Sequence, residues 1–458
     1  MRSLLAGSFV ALVIAASAVR GGAPTPFAPP GAAVVEIFRH ATLIDGRGGP
    51  PATDMAVVVE GERIRNVLAD RYLDVKIVRG ATVVDLKGWF LMPGLIDSHV
   101  HLATPPNRRQ AEAVLRRDIY GGVTAVRDMA DDMRALSDLQ RASIAGEIPA
   151  PDIYYAALMA GPAFFTDPRT SQSSVGDIAG QVPWMRAVDD KTVIPEAVAM
   201  ARGTYATGIK LYADLAAPLA KRIVDEAHRQ GILVWAHSTL FPAKPSDVVD
   251  AGVDVISHSC LMIYQAADKV PSDVKSKGDV PLDQFAGANS RALAPVFANM
   301  VKRGTILDAT VWIYGAVQTD KTSNPQIARH KCDDRVGGAI TRQAYAAGVP
   351  IATGTDYFAP WTDRWPDVFH EMEVLVRSAG MPPAAVIKSA TIIGARTVGR
   401  GSDMGSIEAG KLADMVVLRR NPTENIENFK TVQMTIRRGR IYRRADFRPL
   451  RKGDIQDE

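Results

Sequence analysis

The most informative stretch of the chain is a short apolar run that ends in two histidines separated by one residue. The run covers residues 91–102 and carries His99 and His101. Side chains alternate along a strand, so both imidazoles would lie on one face and could converge on one point, which is a metal-ligand geometry. Two polar histidines on an exposed strand face would look the same. The rest of the chain has to decide between these interpretations.

Four further candidate ligands lie at or near the ends of short apolar segments that have the character of buried parallel strands. These candidates are Lys210, His237, His258 and Asp356, in the segments 208–212, 232–237, 253–258 and 350–356. Helical stretches separate the segments. A parallel barrel gives this pattern when the carboxyl ends of its strands carry the chemistry.

With these six residues in this order, the chain resembles the amidohydrolase superfamily, in the binuclear branch with a carboxylated lysine. It is most similar to the periplasmic members related to imidazolonepropionase and to metal-dependent prolidases, over a region from about His40 to about Arg444. The resemblance implies two metal ions and a bridge between them by a lysine carbamylated with carbon dioxide. The implied ligands are His99, His101 and Asp356 for one ion, His237 and His258 for the other, and Lys210 for the bridge.

The residue types suit two divalent ions. Neutral imidazoles and a carboxylate bind a borderline ion such as zinc, with manganese or iron as alternatives, and two ions need a bridging anion to offset their repulsion. A lysine ammonium cannot bind a metal, but burial near cations lowers its pKa, and the free amine can capture carbon dioxide. Lys210 could instead be a surface lysine paired with Asp214 or Glu226, which its apolar surroundings disfavour. For His237 and His258 taken singly, a buried structural histidine is the alternative.

The predicted reaction is hydrolysis of a carbon–nitrogen bond in a small molecule, such as a dipeptide, an N-acyl amino acid or a cyclic amide. Paired cations make hydroxide available near neutral pH and polarise a carbonyl. The resemblance implies that Asp356 also takes the proton of the attacking water as general base and then delivers it as general acid. Hydrolysis of a lactone, ester or phosphotriester is the alternative enzyme activity. A non-catalytic relative is the alternative outside enzymes, and the complete ligand set argues against it.

Substrate contacts are predicted at three residues. Tyr212 shares a strand face with Lys210 and could bind a substrate carboxylate, with aromatic packing as the alternative. His330 and Tyr357 lie in the loops expected after strands seven and eight. Where relatives often have an acidic residue before the strand-six histidine, this chain has Ser257.

The predicted fold is an α/β TIM barrel with a small discontinuous β-sandwich domain. Alternating strands and helices over residues 91–403 predict a parallel (β/α)8 barrel. Short β-branched runs over 34–90 predict a small antiparallel sheet, and as in the superfamily it would pair with 404–445, ahead of a tail at 446–458. The long connections 161–191 and 259–290 are expected to be lids or binding elements.

Composition narrows the class of partner. The chain has 458 residues, 47% of them hydrophobic, and a formal net charge of only +4. This indicates a large core and a small-molecule substrate rather than a nucleic acid. The sequence leaves the oligomeric state open, a homo-oligomer included.

The first residues predict export. Residues 1–18 combine Arg2, an apolar run and a small-residue cleavage site, which is typical of a signal peptide, and 19–33 would be a flexible lead-in. The apolar run is shorter than the about 20 residues that span a bilayer, so no stable membrane span is expected after cleavage. The predicted location is secreted or periplasmic. We interpret Cys260 and Cys332 as two buried thiols, although an oxidising compartment would permit a disulfide.

Overall fold

The computed structural model describes residues 34–74, 76, 80–276, 280–287, 289–319, 332–356 and 363–449. The predicted signal peptide and lead-in, the tail beyond residue 449, and two of the predicted substrate contacts, His330 and Tyr357, lie outside these ranges.

The described strands form two sheets. In chain order they are β1 (Val35–Leu43), β2 (Ala52–Glu60), β3 (Arg63–Ala69), β4 (Thr82–Asp85), β5 (Phe90–Pro93), β6 (Leu95–Val100), β7 (Val123–Asp128), β8 (Asp152–Ala160), β9 (Gln181–Val182), β10 (Met185–Ala187), β11 (Gly208–Leu211), β12 (Leu233–His237), β13 (Val255–Ser257), β14 (Ile306–Asp308), β15 (Ile351–Ala352), β16 (Met415–Leu418), β17 (Val432–Arg437) and β18 (Arg440–Arg443).

Helices connect strands of the parallel sheet, which contains β6 to β15. They are α1 (Arg108–Tyr120), α2 (Met133–Ala145), α3 (Pro168–Gln172), α4 (Ile194–Gly203), α5 (Ala217–Arg229), α6 (Pro245–Ala251), α7 (Ala294–Arg303), α8 (Val311–Thr319), α9 (Asp334–Ala346), α10 (Val368–Arg377), α11 (Pro383–Lys388) and α12 (Gly394–Thr397). Their apolar faces pack on the strands, as α5 shows with Leu219, Ile223 and Val224 buried.

The parallel barrel confirms the predicted fold class. Strands β6, β7, β8 and β11 to β15 pair in parallel and in sequence. The barrel closes between its first and last strands, where Ser98 N donates to Thr353 O at 2.8 Å. Strands such as β7 and β11 are buried along their whole length, as expected for a parallel sheet with both faces covered.

The second sheet joins the two ends of the chain. Its order is β18-β17-β16-β5-β1-β2-β3, and β16 pairs with β5 in antiparallel register. A core of apolar side chains that includes Phe38, Leu91 and Val417 stabilises it. The prediction of a purely antiparallel sheet was wrong, because β4 and β5 both run parallel to β1. The connection between β3 and β4 is long enough to return the chain across the sheet, which a tight turn cannot do.

Cys260 and Cys332 form a disulfide, so the interpretation of them as two thiols was wrong. Cys260 follows β13, and Cys332 precedes α9, the helix that follows β14 and α8. Adjacent barrel positions bring their Cα atoms to 5.8 Å, although 72 residues separate them in sequence. No local sequence signal carries this proximity.

The predicted long connection at 161–191 has structure of its own. It contains α3 and the short strands β9 and β10, and β10 pairs in parallel with β8 beside the barrel.

No described helix has the length and apolar character needed to cross a bilayer.

Candidate metal centre

All six predicted ligands meet at the carboxyl-terminal rim of the barrel. His99 lies in β6, Lys210 in β11 and His237 at the end of β12. His101, His258 and Asp356 follow the ends of β6, β13 and β15. Parallel strands end at one rim, so side chains far apart in sequence come together there.

Asp356 lies among three imidazoles. Its Oδ1 is 3.3 Å from His99 Nε2 and 3.2 Å from His101 Nε2, and its Oδ2 is 3.6 Å from His258 Nδ1. His99, His258 and Asp356 each offer a ligand atom, and these atoms lie within 4.8 Å of one another. This spacing matches side chains that share a small cation.

Lys210 lies inside the same cluster. Its Nζ is 3.5 Å from His99 Nε2 and 3.2 Å from the carbonyl oxygen of Met129, and the side chain is buried. Burial lowers the pKa of Lys210 to about 8, so roughly a tenth of it is free amine at pH 7, far more than for an ordinary lysine. A free amine is the form that captures carbon dioxide.

His237 completes the cluster on the far side of His258. Their ring centroids are 4.6 Å apart. Among the described residues, His237 Nδ1 is buried and has no hydrogen-bond partner. A buried polar atom without a partner costs free energy, which a metal ion on that nitrogen would remove. The donor set and this nitrogen both fit two divalent ions.

Burial and neighbouring charges set the protonation of the cluster. Burial lowers the pKa of His99 and His237 well below the usual range, and that of His258 to about 3, so these rings are neutral with lone pairs available. Burial alone would raise the pKa of Asp356. The histidines around it, with the protonated His101 among them, outweigh burial and hold the pKa well below its ordinary value, so Asp356 is a carboxylate.

His101 differs from the other histidines. Burial lowers its pKa, but Asp131 outweighs that effect and raises the pKa to about 9. Without a metal, His101 is therefore protonated near neutral pH. Because a ligand imidazole must be neutral, metal binding at His101 would release this proton.

Backbone strain marks two of the ligand positions. His258 and Asp356 have φ angles of 76° and 51°, in the left-handed region that non-glycine residues rarely adopt. Backbone hydrogen bonds hold both, from His258 N to Asp308 O at 3.0 Å and from Asp356 N to His99 O at 2.8 Å. Both residues lie beyond the ends of their strands, where their side chains meet in the cluster.

Sequence reasoning missed the acidic residues that contact the ligand histidines. Asp131 Oδ1 lies 2.7 Å from His101 Nδ1, and its other oxygen accepts from Ala103 N at 2.6 Å. Asp308 Oδ2 lies 2.8 Å from His99 Nδ1. Both acids stand at or just beyond the ends of barrel strands, and that position was the available signal.

The hydroxyl at Ser257 also has a definite partner. Ser257 Oγ donates to Asp308 Oδ2 at 2.8 Å, across the adjacent strands β13 and β14. In this chain the acidic side chain therefore comes from β14, and not from the position before His258. His258 Nδ1 lies 2.8 Å from Thr310 Oγ1, just beyond β14.

Tyr212 lies at the cluster, where aromatic rings pack on it and an arginine lies near its ring. Its ring centroid is 4.1 Å from that of His237 and 4.3 Å from that of Phe164, which stacks on it. The Arg169 guanidinium carbon lies 5.8 Å from the Tyr212 centroid. Asp167 holds Arg169 through a hydrogen bond of 2.9 Å from Nη2 to Oδ2.

A second tyrosine, which sequence reasoning also missed, lies beside His258. The ring centroid of Tyr314 is 6.4 Å from that of His258. Its helix, α8, is anchored at the first turn by Glu371, which accepts from Val311 N at 3.0 Å and Trp312 N at 2.6 Å. A carboxyl oxygen at a helix N-terminus satisfies donors that have no partner within the helix.

The profile of the Amidohydrolase family matches residues 90–442. The chain belongs to the amidohydrolase family. This confirms the resemblance found in the sequence and makes the protein a hydrolase that acts on carbon–nitrogen bonds, in a family that is generally metal-dependent and binuclear.

This amidohydrolase is similar in sequence to two other enzymes and in fold to a third protein. It is 24% identical over 422 residues to the imidazolonepropionase of Anaeromyxobacter sp. (strain K), which covers 83% of this chain and 89% of that protein. It is 25% identical over 401 residues to a 5-methylthioadenosine/S-adenosylhomocysteine deaminase of Teredinibacter turnerae, covering 80% of each. Its fold matches the crystal structure of a Xaa-Pro dipeptidase with bound methionine, with a TM-score of 0.70, 23% identity, and 89% and 100% of the two chains covered.

Proposed function

We propose that this amidohydrolase cleaves the amide bond of a small molecule, such as a dipeptide, an N-acyl amino acid or a cyclic amide, with two divalent ions at the barrel rim. The observation that carries the proposal is the convergence of four histidines, a buried lysine and an ionised aspartate on one point. A donor set of this kind suits zinc, with manganese or iron as alternatives.

The proposed assignment of ligands follows the two sides of the cluster. His99, His101 and Asp356 would hold one ion, and His237 and His258 the other, with carbamylated Lys210 between them. When bound, two such ions supply hydroxide from water near neutral pH and polarise the substrate carbonyl.

Asp356 is the proposed proton carrier. As a carboxylate among the proposed ligands, it has an oxygen that can accept the proton of the attacking water and then deliver it to the leaving nitrogen. Asp97 keeps Asp356 in place, because its Oδ1 accepts from His99 N and Thr355 N, each at 3.1 Å. These bonds connect the end of β6 to the segment that carries Asp356.

Tyr212 and Arg169 support a substrate with a free carboxylate. The phenol lies beside a metal-ligand candidate, and the Arg169 side chain is 58% exposed, so its guanidinium is accessible to a ligand. Arginine and tyrosine donors are well suited to a carboxylate. His330 and Tyr357 stay predictions as further substrate contacts.

A substrate panel tests the function. Metal-loaded protein would be assayed with dipeptides and N-acyl amino acids, each as the free acid and as the carboxamide, together with cyclic amides, lactones, esters and phosphotriesters. We expect the highest kcat/KM for an amide. Lactone or ester values far above those of every amide, with metal content intact, would contradict the proposal.

We also propose that the protein is secreted or periplasmic. The disulfide between Cys260 and Cys332 supports this, because such bonds persist in oxidising compartments. The exported protein is expected to begin near Val19, after the predicted cleavage site. N-terminal sequencing of protein from the periplasm or medium checks this, and exported material that still starts at Met1 would contradict cleavage.

A further inference from the structure

A buried ion pair lies behind His99, on the side of the ring opposite Asp356. Arg127 Nη2 donates to Asp308 Oδ2 at 3.0 Å, and neither side chain is exposed. The same oxygen receives Ser257 Oγ at 2.8 Å and lies 2.8 Å from His99 Nδ1. The same carboxylate oxygen of Asp308 therefore contacts a guanidinium, a hydroxyl and the imidazole of a proposed ligand.

Neighbouring residues of the barrel hold Arg127 and leave space for Asp308. Arg127 Nε donates to Ser98 O at 2.5 Å, and its guanidinium carbon lies 4.6 Å from the ring centroid of Trp235. A Cβ added to Gly354 would lie 2.2 Å from Asp308 Oδ1 and 2.7 Å from His99 Cβ. Glycine at this position leaves room for both side chains.

A buried ion pair is weak evidence for a stabilising role, because an apolar replacement of similar volume is often as stable. The contacts of β14 indicate another reason. None of the six proposed ligands comes from this strand, yet Asp308 contacts His99 and accepts from the backbone of His258, and Thr310 just beyond it contacts the His258 ring. The end of β14 thus orients ligands supplied by its neighbours.

We propose that Asp308, held by Arg127 and Ser257, is a positioning residue that fixes His99 in the tautomer with Nδ1 protonated. The Nε2 lone pair then faces Asp356 and Lys210, where a metal would bind. A carboxylate on the distal nitrogen also makes the imidazole a stronger ligand. This inference rests on the proposed metal centre, but it concerns the affinity for metal and not the substrate.

The test is metal affinity in Asp308→Asn, measured by competition between the full-length protein and a chromophoric zinc chelator. Asparagine keeps the size of the side chain and loses its charge. We expect zinc to bind about 10- to 100-fold more weakly at one of two sites, the usual effect of losing such a partner. For metal-saturated protein, kcat should fall more than KM changes.

Asp152→Asn is the matched control. Asp152 is also buried, and it pairs with Arg437 and Arg438 at the amino-terminal end of β8, away from the metal rim. This variant should melt at a lower temperature and bind zinc as wild type does. Equal weakening of zinc binding in both variants would overturn the inference, because it would reflect a general loss of stability.

Unchanged zinc affinity in Asp308→Asn would also overturn the inference that Asp308 positions His99. If that variant does not fold, Ser257→Ala removes one donor from Asp308 without touching His99, and zinc affinity should fall by about threefold, a shift the size of one weakened hydrogen bond. Unchanged affinity there would be equally decisive. Wild-type protein that binds no divalent ion would instead refute the proposed function itself, and this inference with it.

Discussion

Lys210→Ala is expected to abolish amide hydrolysis and to leave the barrel folded. The lysine is buried among the proposed ligands, and its carbamate would be the anion that offsets repulsion between two ions. Alanine removes this anion, so the variant should also bind less than the full complement of metal. Turnover of the best amide from the substrate panel and elemental analysis are the two measurements.

Lys221→Ala is the control for Lys210→Ala. Lys221 lies on the surface of α5, where it pairs with Asp225. Its loss should leave turnover and metal content unchanged, since an exposed pair of this kind contributes little. Short carboxylic acids or bicarbonate are expected to restore part of the activity of Lys210→Ala by supplying a bridging anion. Undiminished turnover in Lys210→Ala would show that the bridge lies elsewhere.

Asp356→Asn should lower kcat by at least ~10²-fold, the usual contribution of general acid–base catalysis. The amide neither accepts the proton of water nor returns it to the leaving nitrogen, and it is a weaker metal ligand. KM should change less than kcat, because the lost interaction matters mainly in the transition state. Steady-state kinetics on metal-saturated protein measure both constants.

An ester of the same acyl group separates the two roles of Asp356. An alkoxide leaves more readily than an amine, so ester hydrolysis depends less on the returned proton. We expect Asp356→Asn to slow the amide more than the ester. Equal losses on the two substrates would indicate that Asp356 only holds the metal.

The barrel and the proposed ligands could be predicted from the sequence because the signal is local. Each of His237, His258 and Asp356 follows a short apolar segment, and parallel strands place the residues at their carboxyl ends on one rim. The order of the six candidate ligands along the chain then limited the families that the sequence could belong to. The structure brings together the same six side chains.

Other features depend on contacts between strands that no local pattern encodes. Asp308 looks like any acid at a strand end until β13 and β14 are paired and His99 is brought across the barrel. The disulfide likewise arises from barrel order, since Cys260 and Cys332 belong to neighbouring barrel positions. The parallel pairing of β4 and β5 with β1 depends on how the chain crosses the sheet, and alternation of side chains does not report strand direction.

Titration of metal into chelator-stripped protein, followed by amide hydrolysis, tests the central claim most directly. We expect stripped protein to be inactive and activity to rise with added zinc or manganese to a plateau at about two equivalents per chain, as the ligand set of a two-ion site requires. Full amide hydrolysis by protein shown to hold no more than trace metal would contradict the account.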